Sequence, residues 1–248
     1  MKSARPNVKL VVFDLDGTVV DAFGDIAAAA NWALQRLGRA SLPAEHIKQG
    51  VGNGVRALMR YCLNAAAGGG ASGGNSGGGA GEESAGSSNS EVSEDEVERA
   101  FHLFVEYYQD HNAERAFVLP GVVETLQRLR DLDVRTAVIS NKLHPLVVET
   151  LQRLNLVGLF DVVAGESERF PRKPAPDVLL HLMKEFGVRP DETLVIGDGP
   201  ADLALARAAG CRFAGVTTGQ LDRAQFEAAG APVVLDDLSG VVQLVHQR

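Results

Sequence analysis

Short, almost uninterrupted apolar runs recur along the chain, and they limit the folds that this sequence can adopt. Such runs are typical of parallel strands that are buried on both faces. Between most of them, apolar residues recur at the spacing of amphipathic helices. Strand alternating with helix predicts an α/β fold, a doubly wound, Rossmann-like parallel sheet with helices on both faces. The runs are residues 10–13, 134–139, 162–164, 193–196, 213–216 and 233–235, and the helical stretches are residues 122–132, 145–154, 177–186 and 201–209.

A helical segment follows the first predicted strand. Within residues 22–114, apolar residues recur at helical spacing, and Ser93 with Glu96 forms a capping-box pattern that marks a helix start. Residues 68–90 hold 10 of the 27 glycines and no large apolar side chain, so we expect a disordered Gly/Ser-rich loop there. The sequence therefore predicts an inserted helical cap domain at 22–114 and an α/β core made of 1–21 and 115–248.

The composition excludes several classes of protein. The 248 residues carry 24 lysines and arginines against 32 aspartates and glutamates, a net charge of −8, whereas nucleic-acid-binding proteins normally present a basic surface. The two cysteines are too few for a disulfide framework and lack metal-ligand spacing. No apolar run approaches the roughly 20 residues that span a bilayer, and the N-terminus lacks the pattern of a signal peptide. We therefore expect a cytoplasmic protein without nucleic-acid or membrane partners.

Polar side chains follow several predicted strands at the point where each strand ends. Ligands bind at the carboxyl ends of the strands in sheets of this type, so we expect these side chains to lie together. They are Asp14, Asp16 and Thr18 after the first strand, Ser140 and Asn141 after the second, Asp198 and Asp202 after the fourth, and Lys173 shortly before the helix at 177–186.

These residue types point to a site for a divalent cation and a phosphate group. Converging carboxylates repel one another in the absence of a cation. Oxygen ligands without histidine or cysteine suit Mg²⁺, which often shares its ligands with a phosphate. An aspartate can be the nucleophile in phosphoryl transfer, and a lysine and a hydroxyl can bind phosphate oxygens. Alone, Asp202 could simply cap a helix and Lys173 could be a surface lysine. Their joint occurrence in this order predicts a phosphoryl-transfer site.

The same motifs resemble those of the haloacid dehalogenase superfamily of hydrolases. Its first motif matches Asp-Leu-Asp-Gly-Thr at 14–18, and its second matches Ser140. Its third motif matches Lys173 with the Pro-Ala-Pro that follows, and its fourth matches Asp198 with Asp202. The helical insertion after the first motif is similar to the helical cap of that superfamily.

The resemblance implies a role for each of these residues. Asp14 would attack phosphorus, and Asp16 would act first as general acid and then as general base. Mg²⁺ would be held by Asp14, by the backbone carbonyl of Asp16 and by Asp198. Ser140, the Asn141 amide and Lys173 would bind the phosphate, with Lys173 neutralising the charge of the nucleophile and the phosphate. Thr18 and Asp202 would support the site.

A glycine-rich segment of the cap, residues 49–56, contains the candidates for substrate specificity. The small size of Gly52 would let the cap backbone approach a small substrate, and Asn53 or Arg56 could bind a substrate carboxylate. A plain turn between two helices is the alternative interpretation of this segment.

This segment, Ser-Asn-Lys at 140–142 and Gly-Val-Thr-Thr-Gly at 215–219 resemble bacterial phosphoglycolate phosphatases. The resemblance implies the hydrolysis of 2-phosphoglycolate to glycolate and phosphate. Pyrophosphatases, sugar-phosphate phosphatases and phosphoglucomutases of the superfamily are alternatives, although Thr18 stands where the mutases usually have valine. A catalytically silent protein that binds a phosphorylated ligand or a protein partner is another. Apolar residues on the cap helices would also allow a homodimer.

Overall fold

The computed structural model describes residues 6–68, 92–167 and 169–247. Apart from residue 68, which ends a helix, the predicted Gly/Ser-rich loop at 68–90 lies outside the described residues. None of the helices in the described ranges combines the length and the apolar character needed to cross a membrane.

The centre of the molecule is a parallel sheet with the strand order β5-β4-β1-β6-β7-β8. This arrangement confirms the predicted α/β fold. Its strands are β1 (Leu10–Phe13), β4 (Arg135–Leu143), β5 (Val162–Glu166), β6 (Thr193–Gly197), β7 (Arg212–Val216) and β8 (Val234–Leu235). A separate antiparallel pair consists of β2 (Val20–Asp21) and β3 (Phe117–Val118).

The side chains of β1 show why the sheet has helices on both faces. All four residues are buried, but they alternate between two apolar clusters because successive side chains of a strand point to opposite faces. Val11 and Phe13 pack into one cluster, and Leu10 and Val12 pack into the other. The helices of the first face are α5 (Val122–Asp131), α6 (His144–Arg153) and α10 (Val241–Leu244), and those of the second are α7 (Asp177–Phe186), α8 (Pro200–Ala209) and α9 (Arg223–Ala228).

Strand β4, predicted at residues 134–139, extends further than the sequence indicates. The sequence predicts that it ends before Ser140, whereas β4 continues to Leu143. Its pairing with β5 shifts register between Ile139 and Leu143. Such an irregularity re-aims the side chains of a strand, here those of residues 140–142, which the sequence singles out as ligand-binding candidates.

The inserted segment folds into helices α1 (Phe23–Arg36), α2 (Ala44–Lys48), α3 (Val55–Gly68) and α4 (Glu94–His111). The predicted helix start at Ser93 is present, since its hydroxyl accepts a hydrogen bond from the Glu96 amide at 3.2 Å. The reciprocal half of the capping box is replaced, because the Glu96 carboxylate accepts hydrogen bonds from Arg39.

The two crossings between the helical insertion and the sheet lie side by side. Val20 pairs with Val118 and Asp21 with Phe117 in the β2–β3 ribbon. Beside this ribbon, the buried Asp25 carboxylate accepts hydrogen bonds from the backbone amides of residues 115 and 116, directly before β3, at 2.9 and 3.0 Å. We propose this ribbon as the boundary between a cap at 22–114 and a core at 1–21 and 115–248.

Candidate active site

The candidate site lies at the carboxyl end of the three central strands. Asp14 follows β1, Ser140 lies near the end of β4 and Asp198 follows β6, and these strands are neighbours in the sheet. Lys173 reaches the same place from the loop that precedes α7. A cavity between this edge and the cap is lined by Asp14, Asp16, Ser140, Asn141 and Asp202 from the core. The strand-end groups that the sequence singles out therefore come together.

Lys173 lies between two carboxylates in the interior. Its ammonium is 2.8 Å from Asp14 Oδ1 and 2.7 Å from Asp202 Oδ1, and the residue is 5% exposed. Burial lowers the pKa of Lys173, but the charges of Asp14 and Asp202 raise it more, so the lysine is held in its charged form. Asp202 also accepts a hydrogen bond from the Gly199 amide at 3.2 Å. It thus has both of the functions considered for it, since it caps α8 and contacts the site lysine.

Asp198 is the most crowded carboxylate of the site. Carboxylate oxygens of Asp14, Asp198 and Asp202 lie within 4.8 Å of one another. Burial and the charges of Asp14 and Asp202 raise the pKa of Asp198 well above its usual range. The Thr18 hydroxyl donates to its Oδ1 at 3.0 Å, and the backbone amide of Gln220 donates to its Oδ2 at 2.9 Å.

These donors suit a hard divalent cation. The cluster offers carboxylate oxygens alone, and the Lys173 ammonium between Asp14 and Asp202 does not offset their repulsion of Asp198, whose pKa stays raised. A divalent cation would favour the ionised form of Asp198, which burial and its neighbours disfavour. The residues present therefore fit a bound metal ion.

Two glycines leave room for the Asp198 carboxylate. A Cβ atom at Gly17 or at Gly219 would overlap the side-chain atoms of Asp198. Gly17 also has a positive φ of +88°, where side chains are strained, and its amide donates to the Val20 carbonyl to close the turn. The glycine of the Asp-Leu-Asp-Gly-Thr motif is thus required both by the turn and by the carboxylate beside it.

Asp16 is mostly shielded from solvent, with 12% of its side chain exposed, and contacts a lysine. Lys142 Nζ lies 3.2 Å from Asp16 Oδ1 and donates to the Tyr108 hydroxyl at 2.7 Å. Burial raises the pKa of Asp16, although the Lys142 charge opposes this shift. Burial lowers the pKa of Lys142, but the charge of Asp16 and the contact with Tyr108 raise it more. The contact between Lys142 and Tyr108 joins the core to the cap, because Tyr108 belongs to α4.

Asn141 ties three segments together through its side chain. Its amide nitrogen donates to the Gly52 carbonyl at 2.8 Å and to the Lys173 carbonyl at 3.1 Å, and its oxygen accepts from the Lys173 amide at 2.8 Å. These contacts hold the lysine backbone and the cap in place and leave the backbone amide of Asn141 as its candidate phosphate contact. Ser140 is 7% exposed, and its hydroxyl accepts from the Lys142 amide at 3.2 Å.

Three successive carbonyls of the cap loop at 51–53 accept hydrogen bonds from core side chains. Gln220 donates to Val51, Asn141 to Gly52 and Arg172 to Asn53. Gly52 has a φ of +114°, and a Cβ atom there would overlap the Gln220 amide. The loop thus lies against the core through its backbone.

The cap candidates differ in their distance from the cavity. Gly52 lines it, whereas Asn53 is exposed and contacts the core through its backbone carbonyl. Arg56 points elsewhere: it forms two 2.8 Å hydrogen bonds with Glu98 and stacks 3.7 Å from the Phe101 ring centre. The sequence pattern places Arg56 on α3 but does not specify the direction of its side chain.

Some residues of the site are not anticipated from the sequence. Tyr108 follows the helical spacing of α4 and therefore resembles an ordinary core residue. Gln220 comes directly after Thr-Thr-Gly at the end of β7, and this strand-end position is a signal that could have identified it. Arg172 precedes Lys173, but no sequence pattern indicates its contact with the cap.

Comparison with known proteins identifies the family of this chain. A model of the haloacid dehalogenase-like hydrolases matches residues 8–210. The chain is 34% identical over 240 residues to phosphoglycolate phosphatase 1 of Pseudomonas aeruginosa, and the alignment covers 96% of this chain and 80% of that protein. It is 31% identical over 239 residues to phosphoglycolate phosphatase of Chromobacterium violaceum, covering 96% and 97% of the two chains.

A solved structure shows the same fold. The crystal structure described as that of a predicted phosphoglycolate phosphatase from Haemophilus somnus 129PT superimposes with a TM-score of 0.83. It is 25% identical in sequence, and the alignment covers 97% of this chain and 99% of that one. On the family match and on relatives that align over nearly the whole of its length, this chain belongs to the haloacid dehalogenase-like hydrolases.

Proposed function

We propose that this chain, a phosphatase of that family, hydrolyses 2-phosphoglycolate to glycolate and phosphate through a phosphoaspartate on Asp14. The observation that carries this proposal is the convergence of Asp14, Asp198 and Lys173 at one edge of the sheet, beside a cavity that Asp14 and Asp16 line. The named relatives support the choice of ester, since the two that are described above are phosphoglycolate phosphatases.

Mg²⁺ is the cation that we propose for the acidic cluster. The side chains of Asp14 and Asp198 would hold it together with the backbone carbonyl of Asp16, and Asp202 and Thr18 would support these ligands. When bound, the ion would neutralise negative charge on the phosphate and on the attacking carboxylate.

Asp14 is oriented for nucleophilic attack. The Lys173 ammonium at 2.8 Å and the Leu15 amide at 2.6 Å both contact its Oδ1, which leaves Oδ2 to attack. In the first step a bond forms between Asp14 and phosphorus, the bond from phosphorus to the ester oxygen breaks, and Asp16 gives its proton to that oxygen. In the second step Asp16 takes a proton from water, the water oxygen bonds to phosphorus, and the bond between phosphorus and the Asp14 oxygen breaks, which releases phosphate and regenerates the Asp14 carboxylate.

The raised pKa of Asp16 fits this role. A general acid must carry a proton near neutral pH, and burial of the carboxyl group favours its protonated form. The Ser140 hydroxyl, the Asn141 backbone amide and the Lys173 ammonium would bind the phosphate oxygens and keep the phosphorus in line with Asp14.

A steady-state substrate panel tests the choice of ester. The panel compares 2-phosphoglycolate, pyrophosphate, a sugar phosphate and p-nitrophenyl phosphate, each with Mg²⁺ and with EDTA. We expect metal-dependent hydrolysis and the highest kcat/KM for 2-phosphoglycolate. A clear preference for pyrophosphate or for the sugar phosphate would reject the proposed substrate.

Two variants test the chemistry. Asp14→Asn should lower kcat by about a thousandfold or more, because the amide is not a nucleophile. Asp133→Asn is the matched control: this aspartate is exposed, and its φ of +59° is one that asparagine also adopts. Asp16→Asn should accumulate a phosphoenzyme with p-nitrophenyl phosphate, whose leaving group needs no protonation. Mass spectrometry after rapid quenching should find the phosphate on Asp14; a quenched enzyme without this adduct would contradict the two-step route.

A further inference from the structure

The buried lysine next to the general acid has no part in the mechanism described above. Lys142 is 9% exposed and lines the cavity between the core and the cap. Of the charged residues that line this cavity in the described parts of the chain, Asp14, Asp16 and Asp202 are acidic and Lys142 is basic. Asp16 and Tyr108 hold the charged lysine in this buried position, but they use only part of its hydrogen-bonding capacity.

Lys142 and Tyr108 together offer hydrogen-bond donors to the cavity. A lysine ammonium has three N–H groups, and Lys142 uses two of them, on Asp16 and on the Tyr108 hydroxyl. Tyr108 is 1% exposed, lines the same cavity, and its hydroxyl keeps its own proton to donate. Among the residues that the structure describes, neither the third N–H nor this hydroxyl proton has a protein acceptor. The pair is therefore equipped to bind an anion.

The position of the pair selects the anion. Asp16 must lie within about 2.6–3.2 Å of the ester oxygen to protonate it, and Lys142 Nζ is 3.2 Å from the Asp16 carboxylate. In 2-phosphoglycolate a single methylene carbon separates the ester oxygen from the carboxylate. A substrate placed for protonation by Asp16 therefore brings its carboxylate beside Lys142.

Apart from Tyr108 and the polar backbone of the cap loop, which also line the cavity, the cap side is apolar. Ile26, Val55, Leu58 and Phe104 line it, and they offer no partners for the hydroxyl groups of a sugar. Such walls disfavour sugar phosphates and leave one cationic position for a second acidic group.

We propose that Lys142, assisted by the Tyr108 hydroxyl, binds the substrate carboxylate and selects phosphate esters of short 2-hydroxy acids. This inference rests on the proposed function and names the residues that determine its specificity. It assigns to Lys142 the carboxylate-binding role that the sequence pattern suggests for Asn53 or Arg56, whose side chains do not line the cavity.

The test measures kcat and KM of the full-length enzyme for 2-phosphoglycolate and for ethyl phosphate, in which a methyl group replaces the carboxylate. The readout is the ratio of the two kcat/KM values, because any effect of Lys142 on Asp16 changes kcat/KM for both substrates by the same factor. Lys142→Met should lower this ratio by about 10- to 100-fold, the loss expected when one charged hydrogen bond is removed. A ratio equal to that of the wild type would overturn the proposal and leave Lys142 as a positioning residue for Asp16.

A second variant covers the case in which Lys142→Met fails to fold. Tyr108→Phe should lower the same ratio by about 3- to 10-fold, through KM for 2-phosphoglycolate. Its matched control is Tyr107→Phe, because Tyr107 belongs to the same helix but packs against Trp32 and His111. An unchanged ratio in Tyr108→Phe would argue against the role of the pair. If the wild-type enzyme itself shows no preference for 2-phosphoglycolate over ethyl phosphate, the proposed substrate is wrong. If the wild type shows the preference and the variants keep it, only the assignment to Lys142 and Tyr108 is wrong.

Discussion

Replacing Asp198 by asparagine should stabilise the metal-free protein. Oxygens of Asp198 and of two other carboxylates lie within 4.8 Å of one another. Two unit charges at that distance repel by about 1 kcal/mol in water and by about 3 kcal/mol at an effective dielectric constant near 20. Asparagine can keep both hydrogen bonds of Asp198, since its oxygen can accept from the Gln220 amide and its nitrogen can donate to the Thr18 hydroxyl. The change therefore removes charge and little else.

We expect Asp198→Asn to raise the free energy of unfolding in EDTA by about 1–3 kcal/mol, with about 2–4 °C in Tm for each kcal/mol in a chain of this size. Adding Mg²⁺ should reverse the order. The wild type gains about 2.7 kcal/mol when the ion is at 100 times its Kd, whereas the variant has lost a ligand. Thermal unfolding in EDTA and in Mg²⁺ measures both effects without any substrate.

The opposite sign is expected for Lys173→Met. Removing the buried cation between Asp14 and the buried Asp202 should lower the free energy of unfolding in EDTA by about 3–5 kcal/mol. Lowering the pH should reduce the difference in free energy of unfolding between Asp198→Asn and the wild type. Burial and neighbouring charges raise the pKa of Asp198, so acid protonates it in the folded wild type and removes the charge that the asparagine variant lacks. If Asp198→Asn is less stable than the wild type in EDTA, or gains as much from Mg²⁺, the argument from carboxylate repulsion is wrong.

Three further predictions concern the cap and the interior. Gly52→Ala should raise KM by about 3- to 10-fold, because its methyl group displaces the Gln220 hydrogen bond; Gly38→Ala, with a φ of +70° and open space around it, controls for backbone strain. Asp25→Ala should lower the free energy of unfolding by about 1–3 kcal/mol in urea, since two partly buried backbone amides lose their acceptor. Burial raises the pKa of Cys62 to about 12, so at pH 8 a thiol reagent should label it only after unfolding, and rapid labelling of the folded protein would contradict this burial.

The strand-end residues illustrate how far local pattern leads. The apolar run of β1 and the polar residues after it predict a buried central strand and a ligand site at its carboxyl end; the structure contains the buried strand and places these residues beside one cavity. They come together because the ends of parallel strands meet at one edge of the sheet whatever the detailed packing is. The register shift of β4 is different, since it arises from pairing with β5 and is absent from any periodicity.

The cap shows where local pattern ends. Helical spacing places Arg56 and Tyr108 on their helices, but it does not say which of the two side chains faces the core. Tyr108 meets Lys142, 34 positions later in the chain, while Arg56 turns to Glu98 on the outer surface. These choices depend on how the cap lies against the sheet, and that orientation follows from contacts such as those of Asn141 and Gln220 with the cap loop.

The amino-acid sequence alone determined the alternation of strand and helix, the inserted cap helices and the acidic and basic residues of the site, because periodicity and strand ends are local properties of the chain. Only the tertiary structure decided which charged groups share the cavity. Lys142 and Asp16 are 126 positions apart in the chain. Their contact exists because the packed sheet brings two strand ends together and the cap covers them, and side-chain direction across such an interface is set by packing rather than by sequence spacing.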